Sequence, residues 1–132
     1  MEDGLVTLVS RRSVQDTIDA LCDAVVAAGF RVFQRIDHAA HAAEVGLELR
    51  PTVLLMFGNP AKSTLLMQDE QSAGLDVPMR AVAWEDENGE NWLTYNDPHW
   101  VGRRHELGVK SQEVLRTVET MMATIARAAT GN

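Results

Sequence analysis

The residue types able to do chemistry fall into a few short stretches. Asp37 and His38 stand side by side, a pair in which a carboxylate can orient an imidazole so that it acts as a general base or a ligand. His41 follows at i, i+3, so on a helix both rings would share a face and offer two nitrogens to a metal. Two histidines do not complete a site, and Glu44 reads as an ordinary exposed helical acid, so no metal is assigned. Haem held through His38 as an axial ligand is the cofactor alternative. Further on, Gly58-Asn59-Pro60-Ala61-Lys62-Ser63-Thr64 places backbone N–H groups and a lysine where an anion can be held. It is not a Walker A loop, because the second glycine before the lysine is missing. Trp84, Trp92, Trp100 and Tyr95, with Asn96 beside the last, can wall a pocket for a flat ligand, or serve as core or subunit interface.

These stretches need elements to position them. Leu5, Val6, Leu8 and Val9 predict a first strand. Ser13 is a helix N-cap, and Val14, Ile18, Leu21 and Val25 recur at helical spacing up to Gly29. A second strand is expected over residues 30–36. Asp37 then caps a short helix over residues 38–45, closed by Gly46. Val53-Leu54-Leu55-Met56-Phe57 is a continuous apolar run, expected to be a strand covered on both faces at the centre of the sheet. Gly58, Asn59 and Pro60 supply a turn, a cap and a helix start for residues 60–71. Two strands flank Glu87-Asn88-Gly89-Glu90, where Asn88-Gly89 offers the positive dihedrals of a tight turn. Asp97-Pro98 repeats the cap-plus-proline device, and Val114, Leu115, Val118, Met121, Met122 and Ile125 mark one face of a long last helix. The pattern predicts an α+β two-layer sandwich in a single domain, residues 1–132, with a mixed, mostly antiparallel sheet and helices on one face.

Composition limits the function classes. The 132 residues, 45% hydrophobic and 23% charged, suit one globular domain. A formal net charge of -7 disfavours a general binder of nucleic acid or anionic membrane, each of which needs a positive face. Met1-Glu2-Asp3 lacks the basic-then-apolar pattern of a secretory signal, and Cys22 is a lone cysteine, so a cytoplasmic location is expected. No Gly-x-Ser-x-Gly elbow or cysteine–histidine pairing points to a hydrolase.

Ile36-Asp37-His38, Gly46-Leu47, Pro51, Phe57-Gly58-Asn59-Pro60, Thr64-Leu65-Leu66-Met67, Leu75-Asp76-Val77-Pro78 and Tyr95-Asn96 together resemble the prokaryotic family called domain of unknown function 302. The resemblance covers nearly the whole chain and implies a compact two-layer α/β sandwich, commonly homodimeric, with no established reaction. A familiar form of its pattern has glycine before the threonine that matches Thr64, where this chain has Ser63.

The functional expectation is a homodimeric small-molecule binding module. Its pocket would be bounded by Asp37 and His38, by Gly58, Asn59, Lys62 and Thr64, and by Tyr95 and Asn96, the ends of strands where α/β layers leave crevices. A haem or metal protein using His38, and an enzyme with His38 as general base oriented by Asp37, are the alternatives.

Overall fold

The computed structural model describes residues 3–132. Strands β1 (Leu5–Ser10), β2 (Arg31–Asp37), β3 (Thr52–Gly58), β4 (Met79–Glu85) and β5 (Asn91–Asn96) form one sheet in the order β1-β5-β4-β3-β2. Every neighbouring pair is antiparallel, so the expected two-layer α+β arrangement holds without any parallel pairing. The helices are α1 (Val14–Ala27), α2 (His38–Glu44), α3 (Pro60–Asp69), α4 (Pro98–Arg104) and α5 (Val109–Thr130), with a 3-10 turn at Gln71–Leu75.

Helices α1 and α5 pack side by side on one face of the sheet. Val14, Ile18, Leu21 and Val25 of α1 are buried, as are Val118, Met122, Ile125 and Ala129 of α5. They meet the inward residues Val53, Leu55 and Phe57 of β3, Ala81 and Ala83 of β4, and Leu93 and Tyr95 of β5. Each large aliphatic side chain so buried contributes about 1.5–3 kcal/mol of transfer free energy. The caps form as the sequence predicts: Ser13 accepts from Asp16 N, Asp37 from Ala40 N, Asn59 from Ala61 N and Lys62 N, and Asp97 from His99 N.

Two expectations change. The centre of the sheet is β4, with β3 second from the β2 edge. Nor is β3 covered on both faces, since its burial alternates, with Val53, Leu55 and Phe57 buried and Leu54 and Met56 half-buried. Its unbroken apolar run arises because the outer face of the sheet is itself apolar: Val82, Trp84 and Trp92 join Leu54 and Met56 there, and the two indoles stack at 6.1 Å and 26°.

The hairpin between β4 and β5 also differs in detail. Only Gly89 is left-handed, at φ +81, and Asp86 organises the turn. Its carboxylate accepts from Asn88 N, Glu90 N and the Trp92 indole, each at 2.9 Å. These bonds favour the charged form, that from Trp92 most, and hold the Asp86 carboxyl below its ordinary value of 3.8. A depressed carboxyl stabilises the fold above its unfolded pKa, and the contribution disappears as pH falls through the lower folded value. Acidification below about pH 4 should therefore loosen the hairpin and change Trp92 fluorescence, and Asp86→Asn should remove that acid-dependent component while leaving the rest of the acid titration in place.

Candidate functional site

At the sheet end where β3 and β5 finish and β4 begins, the elements part and leave a cleft. Gly58 ends β3 there, and a β-carbon added at that position would lie 3.3 Å from Pro78 and 3.7 Å from Phe33, so glycine is present for close approach rather than for backbone freedom. Asn59, half-buried, turns its side chain onto the first N–H groups of α3, which directs Lys62 and Ser63 of the first helical turn into the cleft wall. Met79 and Arg80 enter from β4 and Asn96 from β5. The remaining walls are apolar: Phe30, Leu66, Val77, Val101, Leu115 and Val118. The enclosed space is about 40 Å³, enough for a small group but less than a drug-sized ligand fills.

Beside the cleft lies an ionic cluster with a buried centre. The Asp76 side chain is only 4% exposed and also lines the cleft. Arg104 Nη1 donates to both of its oxygens at 3.1 Å, and Arg80 stands 3.7 Å from Oδ1. His105, itself buried, places Nε2 2.5 Å from Asp76 Oδ2 and Nδ1 2.8 Å from the Ser72 hydroxyl. A carboxylate that orients an imidazole is what Asp37-His38 suggested in the sequence, and Asp76-His105 realises that geometry instead. The cluster fastens the 3-10 turn to the end of α4, with Ser72 exposed at its outer end.

The sequence-derived candidates divide. Gly58, Asn59, Lys62 and Asn96 come together in the cleft. Thr64 is exposed on α3 outside it, with Ser63 on the cleft side. Tyr95 points the other way, into the core, and burial pushes its phenol above the ordinary value, helped by the charges of Asp97 and Glu119. Asp37 and His38 lie at the opposite end of the sheet, because Asp37 pairs with Val53 whereas Arg31 pairs with Gly58. The five residue steps from Val53 to Gly58 span about 17 Å. One pocket bounded by all three features is therefore not what forms, and the reason is strand direction: β2 and β3 are antiparallel, so the end of one lies beside the start of the other. The Asp37 carboxylate is occupied with Ala40 N, and His38 is exposed, its ring making no hydrogen bond among the described residues. Among the described residues there is no group of three or more His, Cys, Asp or Glu placed to hold a metal.

Asp76, Arg80, Arg104 and His105 escaped the reading of the sequence as a site. Asp76 and His105 are separated by 29 positions and share no local pattern; the one signal was Asp76 within the Leu75-Asp76-Val77-Pro78 stretch.

With the geometry established, comparison with known proteins identifies the family. Residues 6–125 match the model described as domain of unknown function DUF302. The chain belongs to this family. The crystal structure of an uncharacterized conserved DUF302 protein from Bacillus stearothermophilus superposes with a TM-score of 0.85 at 19% identity, covering 96% of this chain and 98% of that one, which establishes the shared fold. Two relatives named fluoride-specific ion channel FluC 1, from Brucella suis and Brucella abortus, are each 46% identical over all 132 residues. The chain spans about half the length of these curated relatives, 52% and 49%. Among the described residues no helix is long and apolar enough to cross a membrane.

Removing the Asp76 carboxylate leaves Arg104 and His105 without their shared acceptor. Arg104 is half-exposed and can turn to water, so the loss is smaller than for a fully buried pair. Asp76→Ala should lower stability by about 2–3 kcal/mol, read as a reduced midpoint in urea at unchanged slope, whereas Ser72→Ala at the exposed end should cost about 1 kcal/mol or less.

Proposed function

We propose that this DUF302 domain is a small-molecule binding module whose ligand enters the cleft between the start of α3, the ends of β3 and β5, and α4. The observation that carries the reading is the convergence of Asn59, Lys62, Ser63, Arg80 and Asn96 around an apolar interior drawn from five separate segments. A few placed polar groups on an apolar wall is the usual make-up of ligand sites. His38 has no part in this reading, since it faces solvent at the far end of the sheet.

Ser63→Trp tests it, because this half-buried position lines the cleft from the helix surface without belonging to the core. The indole should fill the space, abolish the amide shifts that a fragment screen produces at Gly58, Lys62 and Asn96 in the parent protein, and leave the unfolding free energy within about 1 kcal/mol of parent. Unchanged fragment binding in a folded Ser63→Trp protein would reject the cleft as the site.

The Brucella relatives named as fluoride-specific ion channels extend the proposal to a setting. In those proteins the half matching this chain would be the binding part, with the channel in the other half, and a membrane channel becomes a partner class for this domain.

We also propose that two copies associate through the outer face of the sheet. Leu54, Met56, Val82, Trp84 and Trp92 present a half-buried apolar surface that neither α1 nor α5 covers, of the composition found at the centre of homodimer contacts. Val82→Arg should yield a monomer by light scattering at micromolar concentration; a parent protein that is already monomeric there would refute the assembly.

A further inference from the structure

The cleft has a charge that the protein as a whole does not. The chain carries a formal net charge of -7, yet Lys62, Arg80 and Arg104 gather around the cleft and its rim cluster, with Asp76 as the carboxylate among them. Arg104 holds both oxygens of Asp76 and His105 adds a third contact, so the single negative charge is already engaged. Arg80 stands off at 3.7 Å and gives its nearer bond, 3.3 Å, to the Leu75 carbonyl. Lys62 makes no ion pair among the described residues. Two half-buried cations thus border the space, Lys62 without an ion pair among the described residues and Arg80 sharing the Asp76 carboxylate with Arg104, beside walls of Phe30, Leu66 and Val118.

An unpaired ammonium, with a guanidinium that shares its one carboxylate beside it, next to apolar surface favours an anion that brings its own hydrocarbon, since a carboxylate can reach the cations while its chain displaces water from the walls. Inorganic anions satisfy only the first condition and neutral apolar molecules only the second. We infer that the ligand class of the cleft is a small organic acid, its carboxylate held by Lys62 and Arg80 with Asn59, Ser63 and Asn96 as neighbouring polar groups and its apolar body against Phe30, Leu66 and Val118. This assignment rests on the cleft being the binding site, as proposed above. The limited space, about 40 Å³, restricts the body to a short chain.

The test is amide-shift titration of the full chain with sodium hexanoate, hexan-1-ol, inorganic phosphate and sodium fluoride at constant ionic strength, repeated on Lys62→Gln, Lys62→Gln/Arg80→Gln and Ser63→Trp. Hexanoate should shift Gly58, Lys62 and Asn96, bind at least about tenfold more tightly than hexanol, and lose about tenfold in affinity in Lys62→Gln, with a further loss in the double variant. Hexanol binding should be unchanged by the charge substitutions, and Ser63→Trp should bind neither. Hexanol binding as tightly as hexanoate, with no effect of Lys62→Gln, would overturn the acid assignment and leave the cleft standing. Phosphate or fluoride shifting the same amides as strongly as hexanoate would overturn the requirement for an apolar body. Hexanoate shifts that persist in folded Ser63→Trp would overturn both the assignment and the site.

Discussion

The fold depends on covering one face of a five-stranded antiparallel sheet with only two long helices. Ala81 and Ala83 on the central strand β4 are fully buried, and their small side chains let α1 approach the sheet while Leu21, Leu55 and Met122 fill the space to either side. Two helices laid side by side cover the middle of such a sheet and leave its ends to other segments. At the end where β3 and β5 stop, α3, the 3-10 turn and α4 close the structure, and they do so through separate anchors. Gly102 of α4 is one: a β-carbon there would come within 2.5 Å of the Leu115 side chain, so the α4 backbone lies directly against a side chain of α5. Asp69 is another, accepting from Gly108 N at 2.7 Å and Ser111 Oγ at 2.6 Å and so supplying α5 with the N-terminal cap that Gly108 lacks.

Asp76 completes this closure, and the cleft is its by-product. The carboxylate draws Arg104 and His105 from the end of α4 toward the 3-10 turn, while Gly58 allows Pro78 to lie against the end of β3. What remains between these contacts is a gap lined on one side by hydrophobic residues of α3, α4 and α5 and on the other by the polar start of α3. A buried carboxylate is costly to desolvate unless several donors satisfy it, and two of those around Asp76 are the guanidinium groups of Arg104 and Arg80. The requirement that holds Asp76 in place therefore also concentrates positive charge at the cleft.

Much of this was legible in the sequence because it is local. Ser13, Asp37, Asn59 and Asp97 each cap the helix that follows them, and a cap is decided within three or four residues. The α1 and α5 faces are likewise written in their periodicity. What was not legible depends on strand order and direction. The apolar run of β3 suggested a strand covered on both faces, yet an open face bearing Leu54, Met56 and Trp84 gives the same pattern. Asp37-His38 and Gly58-Asn59 border the same two strands, and only the antiparallel pairing of β2 with β3 shows that they occupy opposite ends. His105 and Asp76 meet solely through tertiary packing, so the histidine with an oriented ring was the one whose neighbours in sequence gave no hint of it.

The motif by which the family resemblance was visible thus has two kinds of member. Asp37, Asn59 and Pro60 are accounted for by capping, and Gly58 by its contact with Pro78, without any ligand. Lys62 and Asn96 are not: neither caps a helix or fills the core, and both line the cleft. Residues that architecture does not require are those free to vary without cost to the fold. The apolar walls, by contrast, belong to α3, α4 and α5 and serve the core as well. The polar rim can therefore vary more freely than the walls, because Leu66 and Leu115 cannot be altered without loosening the helices that close the sheet.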